Sequence, residues 1–291
     1  FFKLFSYLII DKFTLKTKFK NILISYLFYF FIVIILYFYF SHFFDHSFDG
    51  NMYHGDIMVQ LIKGWNPIYN SNMYLDSYGM VWGNLYPKYT WVIGAMFIDL
   101  FQASSAGMIL NGVIAIIASI KTYNFFKNKT SLFVSLILAL SVILNPIFIE
   151  QLHTLYVDSI IANLLVLLMI YNLELMENYN YSKQFIIAMI TIALINIKFS
   201  SFAFAGFIDI TSFIYYFFKN KKTSLKIFVS GILMILIGVI LIGYSPYILN
   251  ILAGRNVFFP LMGKDKWDII SSLILEPLIK LRSSERFFYS I

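Results

Sequence analysis

The sequence predicts an all-α, polytopic bundle of transmembrane helices, about seven spans within a range of roughly six to nine, with an amphipathic interfacial helix in the first outer loop. Three observations carry this. Hydrophobic residues fill 60% of the 291 positions and charged residues only 13%, with a mean hydropathy of +0.77. A soluble domain sits nearer half apolar and a quarter charged. The apolar residues gather in runs of bilayer length, and Lys and Arg fall between those runs, as in the loops of membrane proteins.

The elements follow in order. A helix needs about 20 apolar residues to cross the hydrocarbon core, because each backbone group must find its partner inside the segment. The first such run is Ile22–Phe40, preceded by Lys12, Lys16, Lys18 and Lys20. Ser41-His42-Phe43-Phe44 follows it and offers no small-residue cleavage site, so it reads as a retained helix and not a signal peptide. The polar stretch 41–88 is then the first outer loop. Within it, Tyr53, Ile57 and Leu61 form one helical stripe flanked by Met58, Ile62 and Trp65, with Asp49, Asp56, Gln60 and Lys63 opposite. That pattern suits a helix lying in the interface plane. Tyr89–Phe101 is too short to span and reads as interfacial or partly inserted. Further spans are expected at Ala106–Phe126, Leu132–Ile149, Ile160–Leu173, Phe185–Ile197, Phe199–Phe218 and Leu225–Tyr244. Asn196-Ile197-Lys198 joins either two tilted helices or a hairpin broken at mid-membrane. Residues 1–291 read as one membrane domain, with 245–291 an extracytoplasmic segment after the last span. The chain begins at Phe1 and stops in a polar stretch, as a piece of a longer protein would.

Orientation follows from the cations. With the N-terminus cytoplasmic and Tyr89–Phe101 not crossing, thirteen Lys and Arg face the cytoplasm and eight face outward, four of these beyond Lys264 in a long tail where the rule weakens. This places the chain in a plasma or inner membrane, N-terminus inside. The net charge of +7 raises nucleic acid as a partner, but no basic face interleaved with stacking aromatics exists, so none is expected. Zero cysteines exclude disulfides, thiolate metal sites and Cys nucleophiles. The Phe, Ile, Tyr, Asn and Lys richness looks like the bias of an AT-rich genome, so a single aromatic carries little information.

The unusual polar motifs share the outer side. The first loop carries Asp45-His46-Ser47-Phe48-Asp49-Gly50-Asn51-Met52-Tyr53-His54-Gly55-Asp56 and ends in Tyr86-Pro87-Lys88. The second carries Glu150, His153, Tyr156 and Asp158, and the third runs from Tyr244 through Arg255 to Lys264. Three acidic residues just after a membrane helix offer a general base, since an anionic neighbour raises a carboxylate's proton affinity. The same residues also fit a solvated acidic loop. The His and Asp residues leave a divalent metal open, although their spacing does not place two ligands on one helical face. No cofactor is certain. No nucleophile elbow, phosphate-cradling Gly loop or dinucleotide fingerprint is present. Lys198, inside an apolar stretch, either faces a cavity or partner or snorkels from a helix end.

The order of motifs is a membrane helix, Asp-Gly-x-x-Tyr-His (49–54), a helix ending Gly-x-x-Pro (64–67), Tyr-Pro-Lys (86–88), Ile-Lys-Phe-Ser-Ser (197–201), Ser-Pro-Tyr-Ile-x-Asn (245–250) and Phe-Pro-Leu-Met-Gly-Lys (259–264). From about Lys20 to Asp268 this resembles the N-terminal membrane half of the GT-C superfamily of integral-membrane glycosyltransferases, which includes protein mannosyltransferases and the aminoarabinose transferase of lipid A. The resemblance implies transfer of a sugar from a polyprenyl-phosphate carrier to a lipid, glycan or protein acceptor on the outer face, with inversion. It implies Asp49 as the acid that deprotonates or orients the acceptor hydroxyl, with Asp45 and Asp56 as understudies. Members often carry two adjacent acidic residues there, whereas Gly50 follows Asp49 here. Lys88, with Arg255 second, is the expected contact of the donor phosphate, since a cation stabilises the leaving charge. Asp158 would position an acceptor or metal, and His54 would bond sugar or phosphate. Tyr53 is a substrate contact or an interface anchor. A transporter or lipid flippase, which would need broken helices converging at the midplane such as those around Asn196–Lys198, and a truncated non-catalytic membrane subunit are the alternatives.

Overall fold

The computed structural model describes residues 15–69 and 78–263, without the side chains of 15–23, Ser25 and 78–81. The predicted cations at Lys3 and Lys12, and the part of the 245–291 segment from Lys264 onward, lie outside the described residues. Among those described, every regular element is helical. The first is α1, Leu15–Phe40, whose 26 residues hold neither Gly nor Pro to interrupt it. A π-helical turn, Gly50–His54, leads into α2, Gly55–Ile62. Then come α3 (Tyr78–Leu85), α4 (Tyr89–Phe101) and, after a 3-10 turn at Ser104–Met108, α5 (Ile109–Phe126). The remainder are α6 (Leu132–Ile143), α7 (Pro146–Gln151), α8 (Asp158–Glu177), α9 (Tyr181–Ile195), α10 (Phe199–Lys219) and α11 (Lys221–Leu236). The last continues as a π-helical turn, Ile237–Ile242, and the described chain ends beyond a second one, Tyr244–Ile248, and α12, Leu249–Leu252.

Among the described residues, four helices are long and apolar enough to cross a membrane: Ser104–Phe126, Asp158–Glu177, Phe199–Lys219 and Lys221–Ile242. Several boundaries differ from the sequence expectation, and two of them have a local reason. The run Leu132–Ile149 is broken, because Asn145 Oδ1 accepts from the Ile147 amide at 2.9 Å and Pro146 takes the first helical position. An Asn cap with Pro at N1 starts a new helix, α7, instead of extending the old one. The run Ile160–Leu173 extends to Glu177, since Glu174 and Glu177 are held by cations of α5 and of the turn that follows it. Lys121 Nζ lies 2.7 Å from Glu174 Oε1, and Lys129 pairs with Glu177.

Connections are short and capped by polar side chains. Ser131 caps α6, Asn180 caps α9, and Asn220 alone joins α10 to α11, its Oδ1 accepting from the Lys222 and Thr223 amides. Such tight links set sequential helices side by side and antiparallel. The core is built on α5 and α8, which bury Ile109, Ile114, Leu164 and Leu168. At Gly112 a Cβ would come within 2.9 Å of Leu36, so the absent side chain is what lets α1 approach α5. In contrast, α10 and α11 present Phe207, Phe218, Leu225 and Leu233 outward, a face suited to lipid.

In the stretch expected to lie in the interface plane, an α-helix forms over Gly55–Ile62, and its apolar stripe is covered by protein. Ile57 and Met58 are buried against Trp91 and Ala95 of α4, with Tyr53, Leu61 and Trp65 packed around them, while Asp56 and Lys63 stay exposed. Gly94 admits Met58, whose Cε lies 2.7 Å from where a Cβ would stand.

Candidate functional site

Tertiary contacts gather one end of the bundle into a single surface. Asp45 ties the segment after α1 to the segment before α8. Its Oδ1 accepts from the Ser47 amide at 2.7 Å and its Oδ2 from the Leu155 amide at 2.8 Å. The Tyr89 amide donates to Asn196 O at 3.0 Å, docking the start of α4 on the α9–α10 turn. Tyr247, fully buried, donates from its hydroxyl to Ile195 O at 2.5 Å. These fastenings bring together four stretches that are far apart in sequence.

Between them lies a pocket of about 80 Å³. Asp49, Tyr53 and His54 enter from the first loop, Tyr86, Thr90 and Trp91 from the α3–α4 junction, Tyr156 and Asp158 from the start of α8, and Lys198 from the α9–α10 turn. Asp49 Oδ2 accepts from the Tyr53 hydroxyl at 3.2 Å. Asp158 sits in the first turn of α8, where the helix dipole favours a carboxylate. Its Oδ1 accepts from Lys198 Nζ at 2.6 Å, and the pair is little short of half exposed, which by itself adds no more than about 1 kcal/mol to stability. The pocket therefore holds one carboxylate with a single hydroxyl partner and one carboxylate paired to a cation.

The histidine is set to stay neutral. Trp91 Nε1 donates to His54 Nδ1 at 2.5 Å, which leaves the proton of the neutral ring on Nε2. Burial, helped by the Lys198 charge and opposed by Asp158, holds its pKa down at about 3. His54 can thus donate one hydrogen bond from Nε2 at neutral pH and is no general base there. Burial and then the Asp49 charge raise the Tyr53 hydroxyl well above its ordinary value, and the same two causes push Tyr86 up to about 12. Both phenols remain protonated donors.

Of the residues named from sequence, Asp49, Tyr53, His54 and Asp158 meet here. The other four do not. Asp45 is committed to two backbone amides outside the pocket. Asp56 is exposed on α2, and Arg255 is exposed with its guanidinium carbon 5.1 Å from the centre of the Phe259 ring. Lys88 is buried and aims Nζ at Tyr86 O (2.8 Å) and Asn84 O (3.3 Å), the carbonyls at the end of α3. Burial lowers its pKa to about 7, and a neutral amine has two N–H donors for those two acceptors. The pocket's cation is instead Lys198, drawn there by Asp158 forty residues away. Tyr86, Thr90, Trp91 and Tyr156 were missed. Aromatic residues abound in this chain, and only the fold distinguishes those that wall a pocket. Among the described residues, no group of three or more His, Asp or Glu side chains is placed to hold a metal ion.

Fold and site together define a helical protein with candidate membrane-spanning helices and a polar, carboxylate-bearing pocket at one end of the bundle. Comparison with protein-family models, with curated proteins and with solved structures finds no match to the chain.

Proposed function

We propose that this pocket is the active site of a membrane glycosyltransferase that takes a sugar from a polyprenyl-phosphate donor on the extracytoplasmic face. The observation that carries the reading is the meeting of the first-loop Asp49, held by Tyr53, with the Asp158–Lys198 pair in one cavity. In this mechanism Asp49 accepts the proton of an acceptor hydroxyl as that oxygen attacks the anomeric carbon. The bond from that carbon to the donor phosphate breaks on the opposite side, giving inversion. Lys198 faces the charge that develops on the departing phosphate. An ammonium has three donors and Asp158 takes one of them, so Nζ can serve both partners. His54 Nε2 and the phenols add neutral donors. At about 80 Å³ the pocket falls below the roughly 300–1,000 Å³ of sites that enclose a whole ligand. It would hold the reacting groups, with the carrier lipid and the rest of the acceptor outside.

The orientation is part of the proposal. The end of the bundle opposite the pocket carries Lys121, Lys129, Lys183 and Lys226. They pair with or donate to Glu174, Glu177 and Tyr181. Such an end suits the cytoplasm. With α1, α5, α6, α8, α9, α10 and α11 running alternately between the ends, seven crossings bring the pocket outside.

The test is transfer of radiolabelled sugar from polyprenyl-phosphate donors by membranes that contain the inserted chain. Asp49→Asn keeps an acceptor for the Tyr53 hydroxyl but cannot take a proton, so the rate is expected to fall by about 10²–10⁴. Transfer by Asp49→Asn at the wild-type rate would refute the role of Asp49. A wild-type chain, correctly inserted, that transfers none of a panel of such sugars would refute the reaction itself.

A further inference from the structure

A second and larger cavity, about 330 Å³, adjoins the pocket and shares one wall residue with it, Tyr156. The two differ in their cations. The smaller pocket sets Lys198 beside Asp49 and Asp158, whereas the described walls of the larger one carry Glu150 and no Lys or Arg. A phosphate group finds an ammonium partner in the first and, among the described residues, only a like charge in the second. The remaining chemistry of the larger cavity is mixed: the Phe44 and Tyr156 rings stand with the Glu150 carboxylate, the Gln151 amide and the Thr154 hydroxyl. A pyranose presents this same pairing of surfaces, since one face of the ring is C–H and its rim is hydroxyl. Aromatic faces take the former, and carboxylate and amide groups accept from or bridge the latter.

The surroundings hold this cavity in shape. His153, on its wall, accepts from or donates to the Tyr39 hydroxyl at 2.8 Å and stacks on Phe43 with ring centres 4.0 Å apart. Asp45 binds the two loops that form the cavity to each other through the Leu155 amide. Its volume falls within the range of sites that bury a small ligand.

We infer that this second cavity, formed between Phe44 and Tyr156, binds an uncharged pyranose unit, the acceptor sugar of the proposed transfer. Its acceptor role rests on that reading; its affinity for sugar does not. Tyr156 then stands between the two substrates, with the acceptor hydroxyl on one side and the donor phosphate on the other.

The experiment measures binding with no donor present. The purified chain in phospholipid nanodiscs is titrated with methyl glucoside, mannoside, galactoside and N-acetylglucosaminide, and saturation-transfer NMR reads contact. At least one is expected to bind in the millimolar range. Glu150→Gln, at an exposed position that does not support the fold, is expected to weaken it about tenfold or more. Lys63→Ala, exposed on α2, leaves it unchanged. A soluble oligosaccharide and the same sugar on a lipid anchor, compared as competitors, separate a glycan source from a glycolipid source; either supports the cavity. Binding by no member of the panel, or equal binding by Glu150→Gln and Tyr156→Ala variants, overturns the inference. Binding that survives alongside a failed transfer assay overturns the acceptor role and the proposed reaction, and leaves a sugar site.

Discussion

Gly50 directly follows Asp49, and the structure explains why no larger residue stands there. A Cβ at this position would lie 1.8 Å from Asp45 Oδ2 and 2.5 Å from Ser47 Oγ. Ser47 can rotate its hydroxyl away only by giving up the bond it accepts from the Gly50 amide at 3.1 Å, a neutral contact next to water and the weaker of the two costs. The Asp45 carboxylate cannot yield without releasing the Ser47 and Leu155 amides. Hydrogen bonds to a charged acceptor contribute about 1.5–3 kcal/mol each, and water reaches this half-buried site, so the low end applies to both. Gly50→Ala should therefore cost about 3 kcal/mol, roughly a hundredfold in the folding equilibrium. Asp45→Ala removes the same two bonds and should cost about the same. Because both variants lose the same two bonds, the double variant should also cost about 3 kcal/mol, not the sum of about 6. Unfolding in mixed micelles followed by tryptophan fluorescence gives all four corners of this cycle. Additive costs, or a Gly50→Ala protein within about 0.5 kcal/mol of wild type, would refute the argument, since then the carboxylate does not fill the glycine's space.

Further expectations rest on other contacts. Below pH about 7 both the folded and the unfolded chain protonate Lys88, and between about 7 and 10.5 only the unfolded chain does, so stability should rise with pH across that window by up to about 1.4 kcal/mol per unit. Thermal midpoints between pH 7 and 9.5 check this, and Lys88→Met should flatten the rise. Within the helix bundle, the Asp209 carboxylate accepts from Thr191 Oγ1 at 2.6 Å and from Asn172 Nδ2 at 2.9 Å. Asp209→Asn, which keeps polar atoms at both contacts, should cost about 1 kcal/mol or less, while Asp209→Ala should cost about 2–3 kcal/mol by leaving two groups unpaired. Equal midpoints for the two variants would show that the contacts do not matter.

The long apolar runs made most of the helices legible, because a membrane span demands uninterrupted hydrophobicity; α5 and α10 begin and end close to where the runs do, whereas α1 starts ahead of its run, at Leu15, and α11 gives way to a π-helical turn at Ile237 inside its run. The break at Asn145-Pro146 was also written in the sequence, as a cap followed by a residue that starts helices, but apolar neighbours on both sides masked it. Of the three first-loop acids only Asp49 lines the pocket, and the sequence left its cation, Lys198, divided between a cavity partner and a snorkelling helix end. Both Lys88 and Lys198 lie at the edge of an apolar helix. Only the fold shows that one faces two carbonyls and the other faces Asp158. Asp45 could not be distinguished from Asp49 either, since its partner amide at Leu155 is 110 residues away.

The Asp209 cluster also bears on how the chain is made. Asp209 is the middle residue of α10, Phe199–Lys219. On insertion scales an aspartate at a helix centre disfavours entry into lipid by about 2.5–3.5 kcal/mol, against a few tenths gained per Leu, Ile or Phe. Its hydrogen-bond partners, Asn172 on α8 and Thr191 on α9, both precede it in the chain and leave the ribosome first. When α10 reaches the bilayer, its binding partners already stand there. In a membrane, the direction of synthesis would thus have these polar contacts in place before Asp209 arrives, and a chain lacking 158–195 would deliver α10 without them.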